Sequence, residues 1–332
     1  MVVCYYLKTI ILKEVIDKVF DRNNIPEPII RELARKYGVK CRTRVIDEIL
    51  LDLVDKGATE NLHYLNKEFR YASSTRALTI CKPEWHFPKK SQTAEEFMKT
   101  LHKEKGISTD LFGTEWNPEL EPFIQICGLE VDGSDVYIKM VKEVQKVQKQ
   151  GYNSVMVSQA YFTSAVIHFA DQVIELRCAY TYRNEYAAYI MSILGFPQPY
   201  KWIPITSVTK DQAKQISNIL SAGLVSTQVA IPSSVGSLRF NGKKGIDLRI
   251  DNTFSEMKIA IESIGLPTDD TLDEVCFFNF IDPRTQIMIP VHFEINLSNG
   301  GFKFLKRVTE KIIETVLDAF IQVRYLQKSA VI

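Results

Sequence analysis

Two stretches of this chain repeat one another, and that repeat constrains the fold more than any other feature. They are "IHFADQVIELRCAYTYRNEYAAYIMSILGFP" (167–197) and "LRFNGKKGIDLRIDNTFSEMKIAIESIGLP" (238–267). Phe169 matches Phe240, and Ile174–Glu175–Leu176–Arg177 matches Ile246–Asp247–Leu248–Arg249. Thr181–Tyr182 matches Thr253–Phe254, and both copies end in a Ser-Ile segment followed by Gly-x-Pro. Each copy reads as a strand with period-two alternation, then a helix opened near Thr and stopped by Gly. A set of matches in the same order points to duplication of one supersecondary unit.

Extending the second copy in both directions gives a complete unit. A helix is expected at 211–224, strands near 227–232 and 244–250, and a helix at 253–264. Strands near 274–281 and 286–297 follow, joined by the turn Asp282–Pro283–Arg284–Thr285, and a long helix at 302–324 closes the chain. The order is αββαββα, an α+β fold in which hairpins make the sheets antiparallel and helices cover one face.

The preceding residues have a different character. Helices are expected near 7–20, 26–37 (with Pro26 near its first turn) and 43–56 (ended by Gly57). "RELARKYGVKCRTRVIDEILLDLVDKGA" has the grammar of a helix-turn-helix, with small Ala34 at the crossing and Gly38 in the turn. Lys40, Arg42, Thr43 and Arg44 then project outward, suited to phosphates and base edges. This region resembles a winged-helix module, with 62–80 as the wing. Residues 83–116 read as a connector with one short helix at 93–104. The expected division is 1–82, 83–116 and 117–332, the last split into repeats at about 117–205 and 206–325.

Composition narrows the function classes. The chain has 332 residues, 45% of them hydrophobic and 24% charged, as in a globular protein. No apolar run reaches the roughly 20 residues of a membrane span, so no membrane partner and an intracellular location, cytoplasmic or nuclear, are expected. The six cysteines are widely spaced without a C-x-x-C pair, which argues against a zinc ribbon or a disulfide framework. The net charge of +1 makes any electrostatic footprint local. The run "VKEVQKVQKQ" (141–150) reads as a solvated segment, either a long hairpin or a helical insertion in the first repeat.

The topology, with the segments "FIQICGLEVDG" and "ISNILSAGLVST", resembles the LAGLIDADG homing endonuclease family. In that family two helices pack through small residues and each ends in an acid; here Cys127–Gly128 and Ser221–Ala222–Gly223 supply the small residues. The resemblance implies a helix over 117–130 that delivers Asp132 or Glu130 to a catalytic Mg²⁺, with Asp132 the metal ligand. The second segment offers Ser226 and Thr227 in place of the second acid, so the implied site is half degraded. It also implies that the open sheet face reads double-stranded DNA. Arg177 and Arg249, alternating with Ile174, Leu176, Ile246 and Leu248, would lie on that face. The hairpin "RFNGKKG" (239–245) adds Arg239, Lys243 and Lys244.

The expected function is therefore a DNA-binding protein with weakened or lost cleavage. Three alternatives stay open: an active Mg²⁺-dependent site-specific DNA endonuclease, an RNA-splicing cofactor, and a protein-interaction module.

Overall fold

The computed structural model describes residues 24–326 apart from 42–44, 73–76, 232–235, 244, 267 and 269. Among the described residues it is an α+β structure of eight helices and eleven strands, with all strand pairing antiparallel. The helices are α1 (Glu27–Lys36), α2 (Ile46–Asp55), α3 (Thr59–Arg70), α4 (Ala94–Lys105), α5 (Arg183–Leu194), α6 (Lys210–Ile219), α7 (Asn252–Ser263) and α8 (Glu310–Ile321). The strands are β1 (Ala77–Pro83), β2 (Gln125–Asp132), β3 (Asp135–Gln150), β4 (Asn153–His168), β5 (Val173–Arg177), β6 (Trp202–Pro204), β7 (Gly223–Ile231), β8 (Gly236–Asn241), β9 (Thr271–Ile281), β10 (Met288–Asn296) and β11 (Gly301–Phe304). Among the described residues no helix is long and apolar enough to cross a membrane.

The strands form one sheet in the order β2-β3-β4-β5-β1-β11-β10-β9-β7-β8, with β6 branching from β1. Strand β1 joins the halves, pairing with β5 on one side and β11 on the other. Two hydrophobic clusters flank the sheet. One gathers Phe97 and Leu101 of α4, Ile190 and Leu194 of α5, and inward residues of β2–β5. The other gathers Leu33, Leu53, Phe69, Ile216 and Val316 from five helices onto Phe293 and Phe302 of β10 and β11. Helices α1 to α3 therefore share a core with the C-terminal strands.

Several local expectations agree with these elements. Thr93 caps α4 with a full capping box, and its end is Gly106 at φ 69°. Helix α5 stops at Gly195 with φ 87°, and β9 and β10 flank the Asp282–Thr285 turn. Four expectations are corrected.

The helix expected over 117–130 is strand β2. A bulge at Cys127 inserts one residue between Ile126 and Gly128, so Ile126 and Leu129 both face the core. That single insertion turns alternation into the three-residue spacing of a helix. Residues 62–70 of the expected wing belong to α3, because Leu62, Leu65 and Phe69 form a buried stripe at helical spacing. Over its described residues, 245–250, the strand expected near 244–250 is irregular and turn-rich, and the Asp247 carboxylate accepts from the backbone N–H of Leu224 (2.9 Å) and Arg249 (3.0 Å). A short acid that bonds nearby backbone in this way competes with strand pairing. The final helix begins at Glu310, where Thr309 caps it, and residues 301–304 are β11 instead.

Because Phe69 is fully buried in the core that also holds β10 and β11, Phe69→Ala is expected to cost about 3–5 kcal/mol. Urea unfolding followed separately by fluorescence and far-UV circular dichroism should show the loss in one shared transition.

Candidate nucleic-acid interface and the charge network beneath it

The residues singled out from sequence fall into three groups. Arg42, Thr43, Arg44 and Lys244 lie outside the described residues. Lys40 and Lys243 are exposed. The three arginines of the expected sheet face are tied to carboxylates.

Arg177 is only 2% exposed. Its guanidinium donates to Glu175 (2.6 Å), to both oxygens of Glu310 on α8 (2.5 and 2.7 Å), and to the Tyr71 carbonyl (2.9 Å). Arg249 donates to Glu274 (3.0 Å), the Ser217 hydroxyl and the Ala222 carbonyl. Arg239, more open, bridges Gln228 and Asp273. The face expected to read DNA is thus covered by α8 at Arg177, where the alternation correctly separates Glu175 and Arg177 from Ile174 and Leu176. Sequence alone did not reveal that a helix with its own buried acid, Glu310, would close over them.

The network continues to His168, whose ring nitrogens sit 2.9 Å from Asp135 and 3.2 Å from Glu175. Burial alone would lower the His168 pKa, but the two carboxylates outweigh it and raise the pKa to about 10. For Glu175 burial works upward and is outweighed by Arg177 and His168, which hold its pKa down at about 2.

Asp132 and Glu130 lie at the end of β2, beside the turn into β3. Lys67 of α3 reaches Asp132 at 3.0 Å and Glu130 at 3.7 Å, and Arg70 bonds Glu130 (3.2 Å) and Glu115 (2.7 Å). Lys139 pairs with Glu115 as well. Three cations already neutralise these three carboxylates, and a Mg²⁺, which takes one or two carboxylates and several waters in a near-octahedral shell, would have to displace Lys67 or Arg70 to reach them. The donor set does not fit the ion. Among the described residues no group of three or more His, Cys, Asp or Glu is placed to hold a metal. The second helix of the implied pair, α6, ends at Ile219, and Ser226 and Thr227 lie within β7.

The feature with most reach toward a macromolecule is the β3–β4 ribbon. Its strands stay paired from Asp135↔His168 to Gln150↔Asn153. Strand β2 supports β3 only as far as Val141, and β5 supports β4 only from Ser164. From Val144↔Gln159 outward the ribbon stands alone for about 20 Å at a strand's rise per residue. Gly151, at φ 61°, takes the first corner of a two-residue turn that places fully exposed Tyr152 at the tip.

The base of the ribbon is fixed. Lys142 is buried against both carboxylate oxygens of Glu185 (2.7 Å each) and lies 4.7 Å from the Tyr182 ring, while Tyr161 meets Tyr182 edge-on at 5.6 Å. Beyond Glu143, which accepts from Gln145 (3.0 Å) and Ser158, there is no acid until Asp171. The free arm instead carries Lys146, Lys149, Gln145, Gln148, Gln159, Asn153, Ser154 and Ser158 around Val147, Val155 and Met156. The signal in the sequence was this long acid-free stretch, which helical and strand periodicity do not weigh.

No protein-family model matches the chain, and no curated protein matches it.

Two outcomes follow from this charge arrangement. Arg177→Ala leaves Glu175 and Glu310 buried without their partner and should cost about 3–5 kcal/mol in chemical denaturation. The folded-state pKa of His168 is raised, so its contribution is fully present below the ordinary value of 6.5 and is lost as pH rises through about 10. Stability measured between pH 6.5 and 10 should therefore fall in the wild type and fall less steeply in His168→Gln.

Proposed function

We propose that this chain is a double-stranded DNA-binding protein that inserts the β3–β4 arm into the major groove and does not cleave through Asp132. The observation that carries the reading is the unsupported ribbon, free of acids and rich in amides and lysines, standing on a fixed base in a chain of net charge +1. An isolated two-stranded ribbon is marginally stable in water, so a partner that covers it supplies what the fold does not. The major groove of B-DNA admits a two-stranded ribbon, and its base edges match these side chains. Gln and Asn pair with adenine, Lys with guanine or phosphate, and Val and Met with the thymine methyl. The major groove of A-form RNA is too narrow for such an arm, which favours DNA over RNA. Cleavage at Asp132 is disfavoured because Lys67 already holds the carboxylate.

The test is binding of a duplex library by the full chain across a salt series. Lys146→Ala together with Lys149→Ala should weaken binding and make the log–log salt slope shallower by about 2, one for each phosphate no longer neutralised. Gln148→Ala should relax sequence preference with a smaller change in slope. Binding with an unchanged slope in the lysine variant would move the interface elsewhere. Asp132→Asn should leave DNA affinity and product pattern as in the wild type.

A further inference from the structure

We propose that the cavity between α6 and α7 binds a small organic anion with a flat apolar body, of the aromatic carboxylate or sulfonate class. The cavity measures about 340 Å³, within the range of small-molecule sites. Its floor is apolar: Leu224, Val229 and Leu248 are buried, and Phe240 meets Phe254 edge-on at 5.1 Å. The hydroxyl-bearing Thr227 and Thr271 line it from β7 and β9. Six ionisable side chains also line it. Arg249 and Glu274 neutralise one another at 3.0 Å, and Lys210 and Asp211 contribute one charge of each sign from the first turn of α6. That leaves Lys214 from α6 and Lys258 from α7, neither with a carboxylate partner among the described residues. An apolar floor beneath two uncompensated ammonium groups is complementary to an amphiphilic anion.

The internal repeat gives independent support. Helix α5 and helix α7 occupy the same place in the two copies, and each has twelve residues. In the first copy α5 packs directly, with Tyr186, Ala187, Ile190, Met191, Ile193 and Leu194 buried. In the second, α7 has no buried residue and meets the core only through Phe254 and Ile261. Counted back from the shared Ser-Ile, the buried Ala187 of the first copy corresponds to Lys258 of the second. One copy closes the space with side chains; the other opens it and places a cation there. A ligand would supply the contacts that α7 lacks.

The probe is 8-anilinonaphthalene-1-sulfonate, with 1-naphthoate as competitor, on the full chain in low salt. Saturable binding of one probe per chain, displaced by naphthoate but not by the neutral 1-naphthalenemethanol, is expected. Lys258→Glu and Lys214→Glu should each weaken it about tenfold or more, since each reverses a charge at the site. Thr271→Phe should fill the cavity and abolish it. The melting temperature of each variant, measured without probe, distinguishes loss of the site from loss of the fold. Non-saturating fluorescence, equal displacement by the neutral alcohol, or wild-type affinity in folded charge-reversed variants overturns the proposal. The arm variants should leave probe binding unchanged, so this result is read independently of DNA binding.

Discussion

The Arg177 guanidinium is the point at which the parts of this structure are joined. It sits on β5, takes Glu175 from its own strand and Glu310 from the first turn of α8, and donates to the carbonyl of Tyr71 just past α3. These groups come from widely separated stretches of sequence and meet where almost no water reaches them. A buried charge is tolerated only when its partners are geometrically correct, so the cluster penalises any other docking of α8 on the sheet. Through Glu175 it reaches His168, and through His168 it reaches Asp135 at the root of the ribbon. The arm is thus anchored at its root by ions and further out by Lys142, Glu185 and the Tyr161–Tyr182 rings.

How much of this was legible in the sequence depends on which interaction decided each element. Helices closed by local chemistry were readable where Thr93 and Gly106 bound α4 and where Gly195 follows α5, whereas α7, expected to open near Thr253, is capped by Asp251. The alternation that puts Ile174 and Leu176 on one face of β5 and Glu175 and Arg177 on the other was readable too. What covers the second face was not, because Glu310 lies far along the chain and periodicity carries no information about docking. The bulge at Cys127 misled in a specific way, since a single extra residue in a strand reproduces helical spacing over a short window. Asp247 misled by a different route, its carboxylate diverting the backbone from the ladder that its twin in the first repeat joins.

The candidate sites show the same division. Acids at Glu130 and Asp132 were visible, but the lysine and arginine of α3 that neutralise them were assigned to a different module. The arm was visible only as a solvated run, because its length is set by where β2 and β5 stop supporting it. The cavity beside α7 has no sequence signature of its own. It emerges when two copies of one unit are compared and the second proves to be under-filled.

Strand β1 carries a consequence for how the chain reaches this state. It lies at the centre of the sheet, with Leu78 opposite both Arg177 and Phe302. During synthesis β1 leaves the ribosome long before β11, so one of its flanks stays without a partner until most of the sheet has been made. Such long-range pairing slows folding and leaves an unpaired strand exposed meanwhile. Among the strand pairings of this sheet, that of the buried stretch Ala77–Cys81 with β11 is therefore the one that waits longest in the growing chain.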